Sequence, residues 1–153
     1  MNDAILNAAK GDHVRANTKP KTQARIDEKM REQIKHFASQ PKEVISRRIY
    51  ELEREWDIER VLEANASGLA LTSLIWGLTV NKKCLLITGT VLGFLMLHAV
   101  RGWCPPVPIL RRMGVRTRQE IDRELFALKV LRGDFMDLST YAAPESVVSA
   151  ISK

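Results

Sequence analysis

Ala64–Asn81, ANASGLALTSLIWGLTVN, and Cys84–Val100, CLLITGTVLGFLMLHAV, are two uncharged stretches separated only by Lys82 and Lys83. The first has 18 residues and the second has 17, in a chain of 153 residues of which 27% are charged. A bilayer core about 30 Å thick is crossed by about 20 apolar helical residues, with about 17 as the lower limit. Each stretch is therefore long enough for one membrane span.

The two lysines decide how the stretches are arranged. A single helix through both would bury the lysines at its midpoint, at a cost of roughly 2.5 to 3.5 kcal/mol each. A hairpin with the lysines at its tip leaves both ammonium groups in water. The alternative is a buried hairpin of a soluble protein, but soluble helices usually keep a charged face, and neither stretch has one. The sequence predicts an all-α membrane protein, a two-span transmembrane hairpin (about 64–81 and 84–100) with amphipathic cytoplasmic helices on both sides.

Basic residues predict the orientation of this hairpin. Nine arginines flank its two outer ends, against two lysines at the tip, and basic flanks stay in the cytoplasm. Trp56 and Trp103 lie just beyond the outer ends on the same side, as interfacial anchors do. The first 20 residues have no apolar signal-peptide core. Both termini are expected in the cytoplasm, with nothing cleaved. The nine arginines are Arg47, Arg48, Arg54, Arg60, Arg101, Arg111, Arg112, Arg116 and Arg118.

The charge distribution bears on the partners. The net charge is +6, yet the first 63 residues hold 13 Lys/Arg and 12 Asp/Glu, so the surplus lies at the tip and after residue 100. A nucleic-acid-binding protein would show a concentrated basic face with stacking aromatic residues, and none is visible. Attraction to anionic headgroups explains the surplus more simply. The expected partner is the lipid bilayer, and nucleic-acid binding is not expected.

The segment before the hairpin divides into two parts. Residues 1–21 are polar and predict a flexible tail. Residues 22–63 predict two amphipathic helices interrupted by Pro41. Their apolar stripes could lie on the membrane surface or pair with a partner helix, and the sequence does not separate these alternatives. The stripes consist of Ile26, Met30, Ile34 and Phe37 in the first helix and Ile45, Ile49, Leu52 and Trp56 in the second.

The segment after the hairpin begins with a proline-rich stretch. Residues 101–117 predict an interfacial turn, because three prolines follow Trp103 within a few positions. Residues 118–153 predict a cytoplasmic helix and tail. Thr117 and Glu120 form a capping box, in which each side chain accepts the other residue's backbone N–H. Gly133 is the expected end of that helix.

The two cysteines are predicted to be far apart. Cys84 and Cys104 are separated by 20 residues, which is about 30 Å along a helix, and a disulfide needs Cα atoms within about 7 Å. Cys104 is the candidate reactive thiol, held in an extended turn by Pro105. Arg101 would favour its thiolate, whereas the negative end of the preceding helix opposes it. The more ordinary interpretation, which is favoured, is that this turn simply ends a helix at the interface.

No catalytic or metal-binding pattern is visible. The histidines His13, His36 and His98 do not have the spacing of zinc ligands, and no phosphate-binding loop, nucleophile elbow or HExxH motif occurs. The sequence therefore predicts no catalytic residues, no cofactor and no metal, and it favours a non-catalytic role over an enzyme.

Small residues in both stretches predict close helix packing. Gly89 and Gly93 form a GxxxG pattern in the second, and Ser73 and Gly77 form a matching pair in the first. These faces could pack the two spans against each other or join two copies of the chain, and both uses could coexist.

The residues after the second span resemble the YgaP-like inner-membrane domain family. The resemblance rests on Gly102-Trp103-Cys104-Pro105, on Gly114-Val115-Arg116-Thr117 and on the acidic-arginine pair Glu59-Arg60. It covers roughly residues 57–118. Eight residues separate Pro105 from Gly114, more than is usual in the family, and Glu63 stands where a second arginine is common.

This resemblance implies a small protein of the bacterial inner membrane. Relatives in that family are sometimes fused to rhodanese, a sulfurtransferase, and this sequence contains no rhodanese domain. An association with sulfur chemistry is therefore all that the resemblance implies.

Three functions follow from these features. The first is a non-catalytic hairpin that anchors or assembles partners, as an accessory subunit of a membrane complex or as a homodimer through Gly89 and Gly93. The second is a sulfur relay, in which Cys104 accepts sulfur from a separate sulfurtransferase. The third and least favoured is a small-solute conduit of oligomerised hairpins. The polar groups available to line it are Asn65, Thr72, Ser73, Thr79, Thr88, Thr90 and His98.

Overall fold

The computed structural model describes residues 12–135, which are helical throughout, apart from turns and short connections. The predictions for residues 1–11 and 136–153 lie outside the described residues. Seven α-helices form within 12–135, and a 3-10 turn at Lys82–Cys84 joins the fourth to the fifth. The helices are α1 (His13–Ala16), α2 (Pro20–Ala38), α3 (Lys42–Glu53), α4 (Ile58–Thr79), α5 (Leu85–Arg101), α6 (Val107–Met113) and α7 (Arg118–Arg132).

Two helical regions of the described residues are long and apolar enough to cross a membrane. They lie in Lys42–Thr79, whose uncharged part belongs to α4, and in Lys82–Arg101. Helix α4 begins six residues before the uncharged stretch, because Asp57 caps it by accepting the backbone N–H of Arg60 at 2.8 Å. Helix α5 ends at Gly102, which has the left-handed φ of 66°.

Helices α4 and α5 pack against each other near the 3-10 turn, which we call the tip. The hydroxyls of Ser73 and Thr88 share a hydrogen bond of 2.8 Å. A Cβ on Gly77 would lie 2.6 Å from the Leu85 side chain, so the absence of a side chain at Gly77 allows the two helices to approach. The opposite end of this helix pair, near Ile58 and Arg101, is called the base.

The chain divides into two compact units. The first unit comprises described residues 12–29 and 56–121 and contains α4, α5 and α6. Val14 and Cys104 belong to its core, which also includes Ile58, Leu62 and Val107. The backbone N–H of Ile58 donates to the carbonyl of Arg116 at 2.9 Å.

The second unit comprises described residues 30–55 and 122–135. The predicted stripe of α3 is buried there at Ile45, Ile49 and Leu52. Arg48 of α3 donates to Glu124 of α7 at 2.9 and 3.1 Å, and Lys129 pairs with Glu53 at 3.4 Å. The stripe of α3 therefore packs within this chain, an outcome that differs from both the membrane surface and the separate partner helix considered above.

Two local predictions differ from the structure. Residues 12–21 are not a flexible tail: α1 occupies part of this segment and α2 begins at Pro20, because tertiary contacts hold a helix too short to form alone. The proline-rich segment 101–117 is not all turn, since α6 forms within it. Pro106 precedes α6 and Pro108 lies in its first turn, where proline lacks no needed N–H.

Gly102 fixes the approach of α1 to the end of α5. A Cβ at Gly102 would lie 2.3 Å from the Cβ of His13 and 2.6 Å from its backbone carbon, whereas a Cβ at Gly114 would meet nothing within 4 Å. Both glycines have positive φ, 66° and 94°. Both positions therefore require a left-handed backbone conformation, but only Gly114 has space for a side chain.

We expect Gly102→Ala to lower the free energy of unfolding more than Gly114→Ala does. The left-handed conformation alone costs roughly 1 to 2 kcal/mol in either variant, and Gly102→Ala must also displace α1. Chemical unfolding in detergent micelles, followed by circular dichroism, measures the difference. Equal losses in the two variants would show that α1 is not held against Gly102.

Candidate functional site

A buried ion pair lies at the base of the α4–α5 pair, between α6 and α7. Arg111 and Glu120 are each 1% exposed. The guanidinium of Arg111 donates to both carboxylate oxygens of Glu120, at 2.7 and 2.8 Å. Its other N–H groups donate to Thr18 Oγ1 at 3.0 Å, to the carbonyl of Val115 at 3.0 Å and to Gln23 Oε1 at 2.8 Å. Five hydrogen bonds thus use all the donors of Arg111.

A second arginine extends this pair into α1 and α2. Arg15 donates to both carboxylate oxygens of Asp27, at 2.9 and 2.7 Å, and to Glu120 Oε1 at 3.0 Å. Gln23 donates to Glu120 Oε1 at 2.8 Å and to Asp27 Oδ1 at 3.1 Å. Two arginines face two carboxylates, so the formal charges balance. We call Arg15, Gln23, Asp27, Arg111 and Glu120 the base cluster.

The predicted capping box joins the base cluster to the start of α7. The backbone N–H of Thr117 donates to Glu120 Oε2 at 3.0 Å, and the N–H of Glu120 donates to Thr117 Oγ1 at 3.4 Å. The Thr117 hydroxyl also donates to Asp12, which itself accepts the backbone N–H of Arg15 at 2.8 Å. The capping box is confirmed. It also connects α7 to other parts of the chain, because Glu120 binds both arginines as well.

The electrostatics of the base cluster keep Glu120 ionised. Burial by itself would raise the pKa of Glu120, but hydrogen bonds and charge from Arg111, together with Gln23 and the Thr117 N–H, lower it to about 2. Arg15 has a raised pKa, since burial, which would lower it, is outweighed by Asp27 and Glu120. Glu120 and Arg15 are therefore charged over the whole neutral range.

Cys104 lies in the apolar core of the same unit. It is a free thiol, 7% exposed, in the core with Val14, Ile58, Leu62 and Val107. Burial raises the pKa of Cys104. Its proposed modulator Arg101 accepts a hydrogen bond from Asn17 Nδ2 at its backbone carbonyl, at 3.0 Å. Such an environment favours the neutral thiol over the nucleophilic thiolate.

Two cavities adjoin at the base of the first unit. The first, of about 480 Å³, is lined mainly by apolar residues of α4 and α5, with Cys104 and Pro106 at one end. The second, of about 600 Å³, is lined by apolar and polar residues, and we call it the polar cavity because its lining includes the carboxylates of Asp12, Glu59 and Glu63. His98 and Leu95 line both cavities. Each volume lies in the range of small-molecule sites, about 300 to 1,000 Å³.

The predicted packing residues separate into two sets. Ser73 and Gly77 lie in the contact between α4 and α5, as described above. Gly89 and Gly93 do not: both are exposed, and a Cβ on either would meet nothing within 4 Å. The GxxxG face of α5 is therefore not used between the two helices.

The predicted anchors Trp56 and Trp103 are both at the surface, with 50% and 42% of each residue exposed. Arg60 lies over the ring of Trp56 at 4.7 Å from its centroid. Both tryptophans thus present their rings to the surroundings of the chain, which suits the interfacial role predicted for them.

Sequence reasoning missed most of the base cluster. Glu120 was identified through its capping box, but Arg111 was counted only among the basic flanks, and Arg15 fell in the predicted tail. The pairs join residues 9 to 105 positions apart. The one signal in the sequence was a capping-box glutamate next to basic residues, which does not identify the partner.

Comparison with known proteins identifies no relative. No family model matches the chain, no curated protein matches it, and no solved structure matches it.

Acidification should weaken the fold through Glu120. Because the pKa of Glu120 is lowered from 4.5 to about 2 in the folded chain, its stabilisation is present above pH 4.5 and is lost as the pH falls from there toward 2. The shift corresponds to roughly 3 kcal/mol at neutral pH. We expect Glu120→Gln to lower the free energy of unfolding by roughly 3 to 5 kcal/mol, since Arg111 loses its buried counter-charge.

Chemical unfolding in micelles between pH 2 and 7 measures both effects, and Glu120→Gln should flatten the acid limb of the profile. Glu51→Gln is the matched control, because Glu51 is 53% exposed and should change stability by no more than about 0.5 kcal/mol. An acid limb that is identical in the wild type and in Glu120→Gln would contradict the role of Glu120.

Proposed function

We propose that the chain is a two-span hairpin protein of the bacterial inner membrane, with both termini cytoplasmic, which anchors or assembles partners without catalysis. The observation that carries this proposal is the outward apolar surface of α4 and α5. Only 22% of the most apolar 18 residues of the first candidate span are buried within the chain, and 6% in the second. A helix pair in a soluble core would be mostly buried.

The exposed side chains make this surface continuous along both helices. Soluble monomers rarely expose an apolar patch of more than a few hundred Å², whereas lipid would cover this one. The large apolar residues exposed on the helix pair are Leu69, Leu71, Leu74, Ile75, Trp76, Leu78, Leu86, Ile87, Leu92, Phe94, Met96 and Val100.

Hydroxyl groups in α4 and α5 also suit a lipid environment. Thr72, Thr79 and Thr90 each donate to the carbonyl four residues earlier in their own helix, at 2.8 Å. This bonding satisfies a hydroxyl without a water or a partner helix. It supports simple spans over a solute conduit, since hydroxyls engaged within their own helix offer less to a passing solute.

The charged ends support the orientation. Lys82 and Lys83 are exposed at the tip, while the base carries arginines and the base cluster. The positive-inside rule supports a cytoplasmic base. The kinship with the YgaP-like family stays a prediction from residues 57–118. The buried neutral thiol of Cys104 weighs against the sulfur relay, because transfer needs an accessible thiolate.

Assembly is proposed to use the face of α5 that the hairpin leaves open. Gly89 and Gly93 lie on this face, and small residues let a second helix approach closely in lipid. We propose a homodimer or a contact with another membrane subunit there. The base cluster supports the anchoring role, because it joins α1, α6 and the first turn of α7 within the first unit.

Cysteine labelling tests the topology. In the Cys104→Ser variant, a membrane-impermeant maleimide added to intact cells should label Cys84, which the hairpin places at the outer surface. In the Cys84→Ser variant it should not label Cys104 from outside, and on opened membranes it should label Cys104 slowly until the protein is denatured. Labelling of Cys104 in intact cells would refute the orientation, and rapid labelling of native Cys104 would revive the relay.

Self-association tests the assembly face. We expect Gly89→Leu and Gly93→Leu to weaken dimerisation in lipid nanodiscs by about tenfold, which is about 1.4 kcal/mol, because a side chain would separate the helices. Energy transfer between labelled copies measures it. Gly68→Leu is the control, since Gly68 is an exposed helical glycine with no atom near its added Cβ. If all three variants dimerise equally well, the α5 face is not the interface.

A further inference from the structure

The base of the α4–α5 pair contains two buried polar atoms with no hydrogen-bond partner. They are Nδ1 of His98 and Oε2 of Glu59, two of the three such side-chain atoms in residues 12–135. His98 is 9% exposed, and both residues line the 600 Å³ cavity. Buried polar atoms are normally paired, so two unpaired ones on a single cavity indicate a missing hydrogen-bond donor.

The apolar cavity next to the polar one indicates what kind of ligand would supply the hydrogen-bond donor. It lies between α4 and α5, which meet near the tip through Ser73 and Gly77, and its lining includes Leu69 and Phe94, midway along the two helices. These residues belong to the proposed spans, so the cavity lies at a depth where lipid chains are present. His98 is common to the apolar and the polar cavity.

The charges of the polar cavity define the head group. Asp12, Glu59 and Glu63 carry carboxylates on its lining, and Arg118 carries a positive charge there. A primary ammonium group has three N–H donors and a positive charge, so it can donate to Glu59 Oε2 and to His98 Nδ1 at once. An anionic head without an ammonium group would meet the carboxylates unfavourably.

We propose that these adjoining cavities bind one bilayer lipid that carries a primary ammonium head, of the phosphoethanolamine type. Its head group lies among Glu59, His98 and Arg118, and its chain lies in the apolar cavity beside Cys104. The proposal rests on the membrane insertion of α4 and α5. It adds a lipid-specific site to a hairpin that would otherwise contact lipids only through its surface.

The test compares two lipids that differ only at the nitrogen. Lysophosphatidylethanolamine and lysophosphatidylcholine of the same chain length share the phosphate, the tail and the positive charge, but the second has methyl groups in place of the three N–H donors. Isothermal titration calorimetry on the full chain in dodecyl maltoside micelles should show at least about tenfold tighter binding of the first, the effect of one charge-assisted hydrogen bond.

Two variants test whether the preference for the ethanolamine lipid arises at His98 and Glu59. His98→Leu and Glu59→Gln should each reduce the preference to less than about threefold, while Glu51→Gln of the second unit should keep it. Circular dichroism checks that the variants are folded, and two independent substitutions guard against the failure of one. Equal binding of the two lipids by the wild type, or an unchanged preference in both folded variants, would overturn the proposal.

The micelle measurement is independent of the topology experiment. If the labelling shows a different orientation but the ethanolamine preference holds, the site stands and the orientation fails. If the labelling succeeds and the preference is absent, the hairpin stands without this lipid site.

Discussion

The buried pair of Arg111 and Glu120 is the constraint on which the first unit depends. A buried ion pair stabilises a fold only when every remaining donor and acceptor is also satisfied, since desolvation of the two charges costs several kcal/mol each. Arg111 meets this condition with five hydrogen bonds. Those bonds reach Gln23 in α2, Thr18 two residues before α2, the carbonyl of Val115 and the first turn of α7. One side chain therefore holds several separate parts of the chain in one arrangement.

This arrangement explains how a short N-terminal helix can stay in place. Helix α1 has four residues, far below the length at which a helix is stable alone. Asp12 and Arg15 connect it to Thr117, Asp27 and Glu120, and Val14 inserts into the apolar core. The base cluster therefore closes the base of the helix pair, while the tip depends on small residues and one hydroxyl pair.

The sequence predicts the local features of this fold well. The two uncharged stretches correspond to α4 and α5 to within a few residues, apart from the early start of α4, and Pro41, the capping box and Gly133 mark boundaries that the structure also has. These features depend on residues close together in the chain, where propensity and capping act.

The tertiary pairs could not be predicted in the same way. Arg15 and Glu120 are 105 residues apart, and charged residues in a sequence are usually on a solvated surface. For the same reason α1 was interpreted as a tail. The sequence also does not determine which side of α5 faces α4. A GxxxG pattern fits packing within the hairpin or between two copies of the chain, and only the backbone positions distinguish these uses.

The unpaired atoms of His98 and Glu59 contrast with the well-paired charges of the base cluster. In the same unit, the base cluster satisfies two arginines and two carboxylates with short hydrogen bonds. Hydrogen-bond donors and acceptors are therefore well matched in this part of the first unit. Two unpaired atoms on one cavity, beside an apolar cavity between α4 and α5, therefore support the proposed ligand rather than poor packing. The first unit thus combines a base cluster whose charged groups are paired with a neighbouring pair of cavities, at which we propose a bilayer lipid.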